Sequence, residues 1–491
     1  MRSWLVLGLL ACRGKDATDT AGTPLTDTVP DGTTDPAGAD VVSAECTLDP
    51  DNSLRATCSV DLDSPDDVEI TFLADGVEGM VFRSAVPAAR HVVEVWGLVQ
   101  ETEFQWAATP VGNPAGGQQG SLIAGSLPVT LDRMTVDVQA PGPHGDDAVL
   151  LNYGCDTFQE ALVILDREGR VRWYQDISEL TAPPGPKTVR GLNITPEGTI
   201  LAVLDRTAVV EYALHGTLLL YLDGAALDHP VHHDLNRWND LTYVVFAEQV
   251  EGPDGPTVTD GFYVFDGTGT RVAEWHSADH ISPVDGGSAG GGYWADLFPG
   301  AIDWSHTNAL AVDPDGGVTL SLRYQSALVH VVGDPAAADF GAVSWILVGD
   351  PEKSVLTSTL AFASSTGIAD VAFEQQHHVA SVAGGLTLWD NGREPESGSR
   401  VLELAISGGA ADAVREWPVG AFCPGQGSGT VLRSGNVLVD CAPADTIAEV
   451  DPAGVTLWSA SVSCGLGMML RPLYRGLPID LFPAAGASSV P

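Results

Sequence analysis

The chain has 491 residues, enough to bury a large core and to form two or three domains. Its 65 Asp and Glu residues outnumber 23 Lys and Arg residues, which gives a formal net charge of −42. This charge argues against nucleic acid and anionic membrane surfaces as partners, and any site for an anion has to be built locally from the few Arg and His side chains.

The N-terminus, MRSWLVLGLLAC, has the pattern of an export signal. Arg2 gives a short positive region, residues 4–11 are apolar, and LLAC ends in Cys12. The apolar run is too short to span a bilayer. The pattern resembles a bacterial lipoprotein signal over residues 1–12, with Cys12 as the lipidated residue; an ordinary signal peptide is the alternative. We therefore expect an exported cell-envelope lipoprotein, periplasmic or anchored at the outer membrane, that contacts membrane only through its lipid.

Two further segments precede the main repeat of the chain. Residues 13–40 are rich in Thr, Asp, Gly and Pro and cannot form a core, which predicts a flexible tether. Residues 41–135 contain short alternating segments such as LRATCSVDL, DVEITFLAD and HVVEVWGLV, separated by Pro, Gly and Asp turns. This period of two predicts a small β-sandwich resembling an immunoglobulin or fibronectin type III module, a fold that by itself implies no function.

Six cysteines remain once the predicted lipidation site is set aside. An even number in an exported protein favours disulfides, and six cysteines allow fifteen pairings. No C-x-x-C motif occurs, so we expect no structural zinc site. We predict two local pairs and, from the cysteines left over, one long-range pair: Cys46–Cys58, Cys423–Cys441 and Cys155–Cys464.

A repeat begins near residue 140. One unit is a Gly-, Asn- or Asp-rich turn before an apolar strand, as in TPEGTILAVL and DPDGGVTLSL; the other is a turn before a strand that usually ends in an aromatic residue, as in DREGRVRWY and PAGVTLWSA. Repeats of about 40 residues with several strands each are typical of β-propellers. We predict an all-β protein whose residues 140–485 form a six-bladed β-propeller, preceded by the sandwich. The units pair into six modules near 145–178, 190–225, 230–280, 304–350, 371–420 and 427–465.

The repeat brings three groups of histidines into register. His232 and His233, then His306, then His377 and His378 each lie seven to ten residues before the first turn of their module. Equivalent positions in successive blades surround one axis. If the strands that follow are innermost, these histidines converge on one mouth of a central channel.

Other polar residues fall near the same positions. Counting back from the first turn in the same way gives Arg190 in the second module and Ser428 in the sixth. Asn308 lies two residues after His306, and Arg323 follows the turn of the fourth module. Several His with an Asp would suit zinc or copper. His, Arg and Asn together would bind an anionic ester and supply a nucleophile and an acid–base group. We favour the anion site and expect no metal, because the permanent charge of Arg323 would oppose a divalent cation.

Four stretches resemble the bacterial arylsulfate sulfotransferase (ASST) family: HHDLNRW; DWSHTNALAVDPDGGVTLSLRYQSALVHV followed by WILVGD; QQHHVASVAGGLTLWDNG; and LRPLYRGLPIDLF. The resemblance covers roughly residues 145–485. It implies a six-bladed propeller with a small β-domain ahead of it. It also implies transfer of a sulfuryl group from an aryl sulfate donor to a phenolic acceptor through a sulfated histidine, with no nucleotide sulfate donor and no cofactor.

The resemblance assigns roles to individual residues. The histidine that follows Gln in the third motif is the nucleophile, which makes it His377. His378 beside it departs from the family pattern, and since neighbours in a strand face opposite ways, one of the two should point elsewhere. The sequence leaves open which histidine of HHD faces the channel. We assign catalysis to His377, His306, His233 and Arg323, and substrate binding to Asn308, His232, His378, Arg190 and Ser428.

Two other functions stay open. One is a non-catalytic cell-surface propeller that binds a partner protein or a glycan. The other is a propeller enzyme with a metal held by histidines, such as an oxidoreductase or a lyase. The combined His, Asn and Arg set favours the sulfotransferase over both.

Overall fold

The structure is a computed structural model. The predicted signal with its Cys12, and nearly all of the predicted tether, lie outside the described residues. Within the described part of the chain the fold is all-β, with only short 3-10 helices, and no helix there has the length and hydropathy needed to cross a bilayer. The described residues are 38–145, 147–156, 159–178, 180, 188–284, 288–289, 292–392, 398–464 and 473–482.

The first seven strands form two antiparallel sheets, ordered β1-β2-β5 and β4-β3-β6-β7. Alternate residues of these strands are buried in a shared hydrophobic core, as the period of two requires. The predicted small β-domain is therefore built from two sheets, and its likeness to an immunoglobulin module stays a prediction. The strands are β1 (Val41–Leu48), β2 (Ala56–Asp66), β3 (Val68–Ala74), β4 (Val77–Arg83), β5 (Ala88–Val95), β6 (Glu103–Pro110) and β7 (Gln118–Ile123), with a 3-10 helix at Pro114–Gly116.

The remaining strands form six further sheets, one for each predicted module. In chain order they begin with β8 (Thr135–Gln139), β9 (Ala148–Asp156), β10 (Gln159–Leu165), β11 (Val171–Asp176), β12 (Val189–Ile194), β13 (Ile200–Leu204), β14 (Ala208–Tyr212), β15 (Leu218–Leu222), β16 (Val231–Trp238), β17 (Leu241–Gly252), β18 (Gly255–Phe265), β19 (Arg271–His276), β20 (Ser288–Ala289) and β21 (Ile302–Asp303). They continue with β22 (Thr307–Val312), β23 (Gly317–Leu322), β24 (Ala327–Val332), β25 (Val343–Val348), β26 (Ala361–Ala363), β27 (His377–Val382), β28 (Gly385–Asp390), β29 (Arg400–Ser407), β30 (Ala410–Pro418), β31 (Ser428–Val431), β32 (Val437–Cys441), β33 (Thr446–Val450), β34 (Thr456–Ser463) and β35 (Gly476–Ile479). Further 3-10 helices lie at Ser277–Asp279, Arg323–Gln325 and Ala442–Ala444.

Consecutive strands are neighbours in most of these sheets. Their orders are β11-β10-β9-β35, β12-β13-β14-β15, β16-β17-β18-β21-β20 with β19 also on β18, β22-β23-β24-β25, β26-β30-β29-β28-β27 and β31-β32-β33-β34-β8. Turn-and-strand repeats of this kind form antiparallel meanders because a short turn joins adjacent strands directly.

The two ends of the repeat region are tied into distant sheets. β35 pairs with β9 and so joins the last part of the chain to the first sheet, while β8 pairs with β34 on the outer side of the last sheet. The set of six sheets therefore includes residues before the predicted boundary at 140. Covering the edge of the last sheet with an N-terminal strand removes an exposed row of unpaired backbone groups.

The first strands of successive sheets lie side by side. Hydrogen bonds cross from one sheet to the next, and residues near the starts of β12, β16, β22 and β27 line one cavity. The bonds run from Asn193 Nδ2 to Leu235 O (3.0 Å), from Leu310 N to Asp234 Oδ2 (2.9 Å), from Asn308 Nδ2 to Gln376 O (2.7 Å) and from Ser428 Oγ to Gly476 O (2.7 Å).

All three predicted disulfides are formed. Cys46–Cys58 links opposed residues of β1 and β2, and Cys423–Cys441 ties a loop to the end of β32. Cys155, near the end of β9, is bonded to Cys464, which directly follows β34. These two cysteines are 309 positions apart in the chain. The structure thus confirms the pairing expected from the cysteine spacing.

Candidate active site

A cavity of about 660 Å³ opens at the end of the molecule where the first strands begin. Its wall contains imidazoles, guanidinium groups and phenol rings drawn from four of the six sheets and the loops next to them. The lining residues are Arg190, Asp205, Arg206, His233, Gly292, Tyr293, His306, Arg323, Tyr324, His377, Pro424, Gly425 and Gln426.

The backbone is irregular where the cavity histidines emerge. The ladder register shifts at Arg190 in β12 and at residues 232–234 in β16, so both of these strands bulge near their starts. His233, His306 and His378 have φ angles of 57°, 48° and 40°, in the left-handed region that side chains other than glycine rarely adopt. Bulges redirect side chains, and such backbone strain, about 1–3 kcal/mol per residue, concentrates at functional sites.

His377 is buried, and its two ring nitrogens have different surroundings. Nδ1 lies 2.6 Å from Asn391 Oδ1 and 3.0 Å from Gln375 O; since both oxygens can only accept, Nδ1 carries the proton. Nε2 therefore has a free lone pair, which accepts a hydrogen bond from the backbone N–H of Gln426 at 3.2 Å. Burial, and then the nearby charge of Arg323, hold the pKa of His377 well below its usual value. The ring is therefore neutral, and its unprotonated nitrogen is Nε2.

His306 is held by a carboxylate from the same motif. Its Nδ1 donates to Asp303 Oδ2 at 2.7 Å, which leaves Nε2 for the cavity. The ring packs against Tyr324, with 4.9 Å between ring centroids, and against His233 at 4.8 Å. An imidazole oriented by a carboxylate is the usual arrangement of a side chain that takes up and returns a proton.

His233 ends a chain of three hydrogen-bonded groups. Asp260 Oδ1 lies 3.0 Å from His232 Nε2, and His232 Nδ1 lies 2.7 Å from His233 Nδ1. Burial opposes ionisation of Asp260, yet His232 and the donors Ser305 and Thr307 lower the pKa of that carboxyl below its usual value. Burial, and then the other imidazoles, hold the pKa of His233 well below its usual value. With Nδ1–H donated to His232, His233 presents a bare Nε2 to the cavity.

Three arginines supply the positive charge of the wall. Arg323 Nη2 donates to Gln375 Oε1 at 2.9 Å, while its buried Nε has no hydrogen-bond partner among the described residues. Arg190 lies over the ring of Tyr474, 5.7 Å from its centroid, and Arg206 lies 4.6 Å from the centroid of Tyr293. In a chain so acidic overall, these guanidinium groups concentrate positive charge locally at this wall.

The structure brings five of the nine predicted site residues together around the cavity: His233, His306, His377, Arg190 and Arg323. It also distinguishes the two histidines of HHD, because His233 lines the cavity and His232 binds Asp260 behind it. The remaining predicted residues do not line the cavity, and each bonds to the protein interior instead.

Asn308 is fully buried, with its Nδ2 bound to Gln376 O and its Oδ1 accepting from Ser321 Oγ at 2.8 Å. Ser428 Oγ is bound to Gly476 O. His378 turns away from the cavity to Gly429 O, 3.1 Å from its Nδ1, and burial lowers the pKa of His378 to about 3. The polar atoms of these side chains are hydrogen-bonded inside the protein, so they connect neighbouring strands instead of facing the cavity.

Several residues of the site were not predicted: Asp205, Arg206, Tyr293, Asp303, Tyr324, Asn391 and Gln426. The second strands of two sheets, β13 and β28, are directly followed by Asp205 with Arg206 and by Asn391. In a hairpin the second strand ends beside the start of the first, so these residues lie next to the predicted positions. Counting forward from each turn as well as backward would have found them. Asp303, Tyr324 and Asn391 also lie inside motifs that the sequence had already singled out.

The described residues hold no group of three or more His, Cys, Asp or Glu side chains placed to bind a metal ion. Asp260 and Asp303 approach histidines, but each carboxylate is bound to the Nε2 or Nδ1 of a single ring. The arrangement therefore pairs acids with imidazoles rather than directing them at a common point.

The model of one known family, arylsulfotransferase (ASST), matches residues 134–405, more than half of the chain. The chain belongs to the arylsulfotransferase family. The predicted family is thereby confirmed, and membership indicates a sulfotransferase. The match includes His233, His306, Arg323 and His377 but ends before the loop that carries Gln426.

No curated protein matches this arylsulfotransferase family member. Among solved structures it is similar to a protein of unknown function from Bacteroides caccae, at 10% identity and a TM-score of 0.40, covering 68% of this chain and 100% of the other. It is also similar to a streptogramin B lyase, at 10% identity and a TM-score of 0.37, covering 66% and 86% of the two chains. A virginiamycin B lyase from Staphylococcus aureus has 9% identity and a TM-score of 0.34, covering 66% and 88%. Similarity this low has no bearing on function.

Proposed function

We propose that this protein transfers a sulfuryl group from an aryl sulfate to a phenol through a sulfohistidine at His377, without a nucleotide sulfate donor. The observation that carries the proposal is the pairing of a neutral, buried imidazole with a guanidinium group. His377 keeps an unprotonated Nε2 because Nδ1 carries the proton that binds Asn391, and Arg323 lies beside it with an N–H that has no hydrogen-bond partner among the described residues. A nucleophile and an anion clamp then share one cavity.

In the first half-reaction the Nε2 lone pair of His377 attacks sulfur. The N–S bond forms as the S–O bond to the aryl group breaks, and the electron pair of that bond leaves on the phenolate oxygen. His306, protonated at Nε2, gives its proton to this oxygen, so phenol departs. The sulfated ring gains positive charge, which Asn391 Oδ1 and Gln375 O stabilise by accepting the Nδ1–H.

In the second half-reaction the acceptor phenol takes the place of the first. A phenol with a pKa of about 10 needs a base, and His306, now neutral, removes its proton while Asp303 stabilises the imidazolium that forms. The phenol oxygen attacks sulfur, the N–S bond breaks, and its electron pair returns to His377 Nε2. The first half-reaction leaves His306 neutral and His377 sulfated, and the second returns both histidines to their starting protonation.

The sulfuryl oxygens carry charge throughout the transfer, so catalysis needs fixed donors around them. Arg323 Nε has no partner within the described part of the chain, and Arg190 lines the same wall. The backbone N–H of Gln426, which bonds His377 Nε2 in the free site, is placed to turn to a sulfuryl oxygen once Nε2 binds sulfur. His233 is a second candidate base, positioned by His232 and Asp260.

The finer features of architecture and location belong to the same proposal. We propose that the six repeated sheets are the blades of a six-bladed propeller whose channel mouth is the cavity, and that residues 41–135 form a separate sandwich domain. Three disulfides are typical of exported proteins. We propose a cell-envelope lipoprotein anchored at Cys12.

The experiment uses 4-nitrophenyl sulfate as donor, with and without added phenol and with no nucleotide present. We expect nitrophenol release to rise with phenol, and in the absence of phenol we expect mass spectrometry to find one sulfuryl group on His377. The sample is kept neutral or basic because a sulfated imidazole is acid-labile.

His377→Ala should abolish both the adduct and nitrophenol release, whereas the neighbouring change His378→Ala is the matched control and should retain the adduct. Labelling of His378 instead would show that the assignment of the nucleophile is off by one residue. Transfer without any covalent label would replace the two-step path with direct transfer.

A further inference from the structure

A second cavity, of about 590 Å³, adjoins the active-site cavity. The two share Asp205 and Arg206 in their walls. The apolar part of the wall of the second cavity consists of Leu227, Pro230, Leu297 and Phe298. The space is large enough for an aromatic ring with substituents. The mechanism described above makes no use of it.

Arg206 and Asp205, which line both cavities, lie between them. The Arg206 guanidinium is stacked 4.6 Å from the ring centroid of Tyr293 and 5.2 Å from that of Trp294, and its Nη1 binds both carboxylate oxygens of Asp296 at 2.7 and 2.8 Å. Tyr293 in turn donates to Asp205 at 2.5 Å. Because the Asp296 side chain is 68% exposed, this ion pair is screened by water and weak, and Arg206 is also held by its Nη2, which donates to Tyr293 O.

The charge of the second cavity is the reverse of that in the first. Asp228 and Asp296 stand at its rim with side chains 65% and 68% exposed, and Asp228 is paired with Arg271, which lies outside the lining. Of the described residues that line it, Arg206 is the only one with a permanent positive charge, and Asp296 already pairs with it. An apolar wall with an acidic rim rejects anions and accepts neutral or cationic groups.

Transfer through His377 constrains how a substrate extends. The donor oxygen leaves, and the acceptor oxygen arrives, opposite the same Nε2, so the aryl groups of donor and acceptor extend from the same point. A single ring fits within the first cavity. A second ring attached para to the oxygen extends beyond the first cavity. The space that it enters, past Arg206, is the second cavity.

We propose that the second cavity is the distal subsite for two-ring aryl substrates whose far end is neutral or cationic. This inference rests on the proposed sulfotransferase function, and it names the substrate class. Arg206 then lies against the edge of the substrate between the two rings. The apolar wall of Leu297 and Phe298 would contact the second ring.

The test compares phenol with 4-phenylphenol as acceptors for the same donor. Leu297 is 45% exposed, so Leu297→Asp should fold normally while placing a charge in the apolar wall. We expect kcat/KM for 4-phenylphenol to fall about 10-fold, the value of burying part of a ring, with kcat/KM for phenol changing less than about twofold. The matched control is Leu218→Asp, at a 39% exposed leucine on the outer strand β15, which should change neither value.

A second arm tests the charge. Wild-type protein should prefer a 4-phenylphenol with an aminomethyl group on the far ring over one with a carboxylate there, and Asp228→Asn should reduce that preference. Equal losses with phenol and 4-phenylphenol in the Leu297 variant, or a preference for the carboxylate, would overturn the distal subsite alone. Failure of the wild-type protein to sulfate phenol would overturn the proposed function, and the subsite with it.

Discussion

The amide oxygen of Asn391 lies 2.6 Å from Nδ1 of His377, and the amide nitrogen of Asn391 donates to the carbonyl oxygens of Cys423 and Gln426 at 2.7 and 3.0 Å. One side chain therefore fixes both the ring of the proposed nucleophile and the loop whose Gln426 N–H points at its Nε2. The Cys423–Cys441 disulfide anchors the same loop to β32.

Asn391→Ala should lower kcat about 100-fold, because a small displacement of a reacting group costs about that much. The yield of sulfated His377 in the absence of acceptor should fall in parallel. Asn193→Ala removes a similar hydrogen bond between inner strands without touching the cavity and should leave kcat within about threefold. A full adduct yield in the Asn391 variant would show that the ring is positioned by other contacts.

Asp303→Asn should slow transfer about 100-fold to weakly acidic phenols, because His306 loses the carboxylate that stabilises its protonated form. Acceptors that are already ionised at the assay pH, such as nitrophenols, need no base and should be affected far less. Asp313→Asn alters another His–carboxylate pair, with His330 at 3.0 Å outside the cavity, and serves as the matched control. Equal losses with both classes of acceptor would remove His306 from the acid–base role.

Much of the fold follows from local sequence pattern. The turn-and-strand repeat located all six sheets, because a hairpin is specified by its own turn residues and alternation. The partners of β8 and β35 were not predictable in this way, since each pairs with a strand more than 300 residues distant in the chain. Such closure depends on which edges the assembled sheets leave exposed.

The site was predictable to the extent that it follows the repeat. His233, His306 and His377 were found because equivalent positions in successive sheets converge. Asn308 was expected to bind substrate, but its amide is used between β22 and β27. Tyr293 and Gln426 reach the cavity from loops whose path is set by tertiary contacts. The periodicity of the sequence does not predict such contacts.

Arg323→Lys should lose about 100-fold in kcat although the charge is kept, because a forked guanidinium holds Gln375 and a sulfuryl oxygen together and an ammonium group does not. Arg415→Lys, at a surface arginine paired with Glu403, is the control and should leave kcat unchanged. Activity within about threefold of wild type in the Arg323 variant would exclude the clamp.

Cys12→Ser tests the lipoprotein interpretation, which concerns residues outside the described part of the structure. The variant should move from the membrane fraction to the soluble fraction of cells, with unchanged activity and thermal stability, because residues 13–40 are predicted to be only a tether. Unaltered membrane fractionation would contradict lipidation at this cysteine.

The buried His378 should make stability depend on pH in a definite direction. Its pKa is lowered to about 3 in the folded protein by burial and by Arg475, against about 6.5 for an unfolded chain. Between these values the unfolded state binds a proton that the folded state does not, so the stability contributed by the neutral ring is complete above the unfolded pKa and is lost as pH falls. Each pH unit within this window should cost about 1.4 kcal/mol of unfolding free energy.

His378→Asn keeps a donor where Nδ1 faces Gly429 O and removes the titration. Denaturant unfolding at several pH values between 4 and 6.5 should therefore show a slope smaller by about one proton in the variant than in the wild type. Other buried groups cancel in this comparison, including Asp440, whose pKa burial raises to about 8 and which acts in the opposite direction. His280→Asn, at an exposed histidine, separates burial from the mere loss of an imidazole. Parallel slopes for wild type and the His378 variant would show that this ring is protonated in the folded protein.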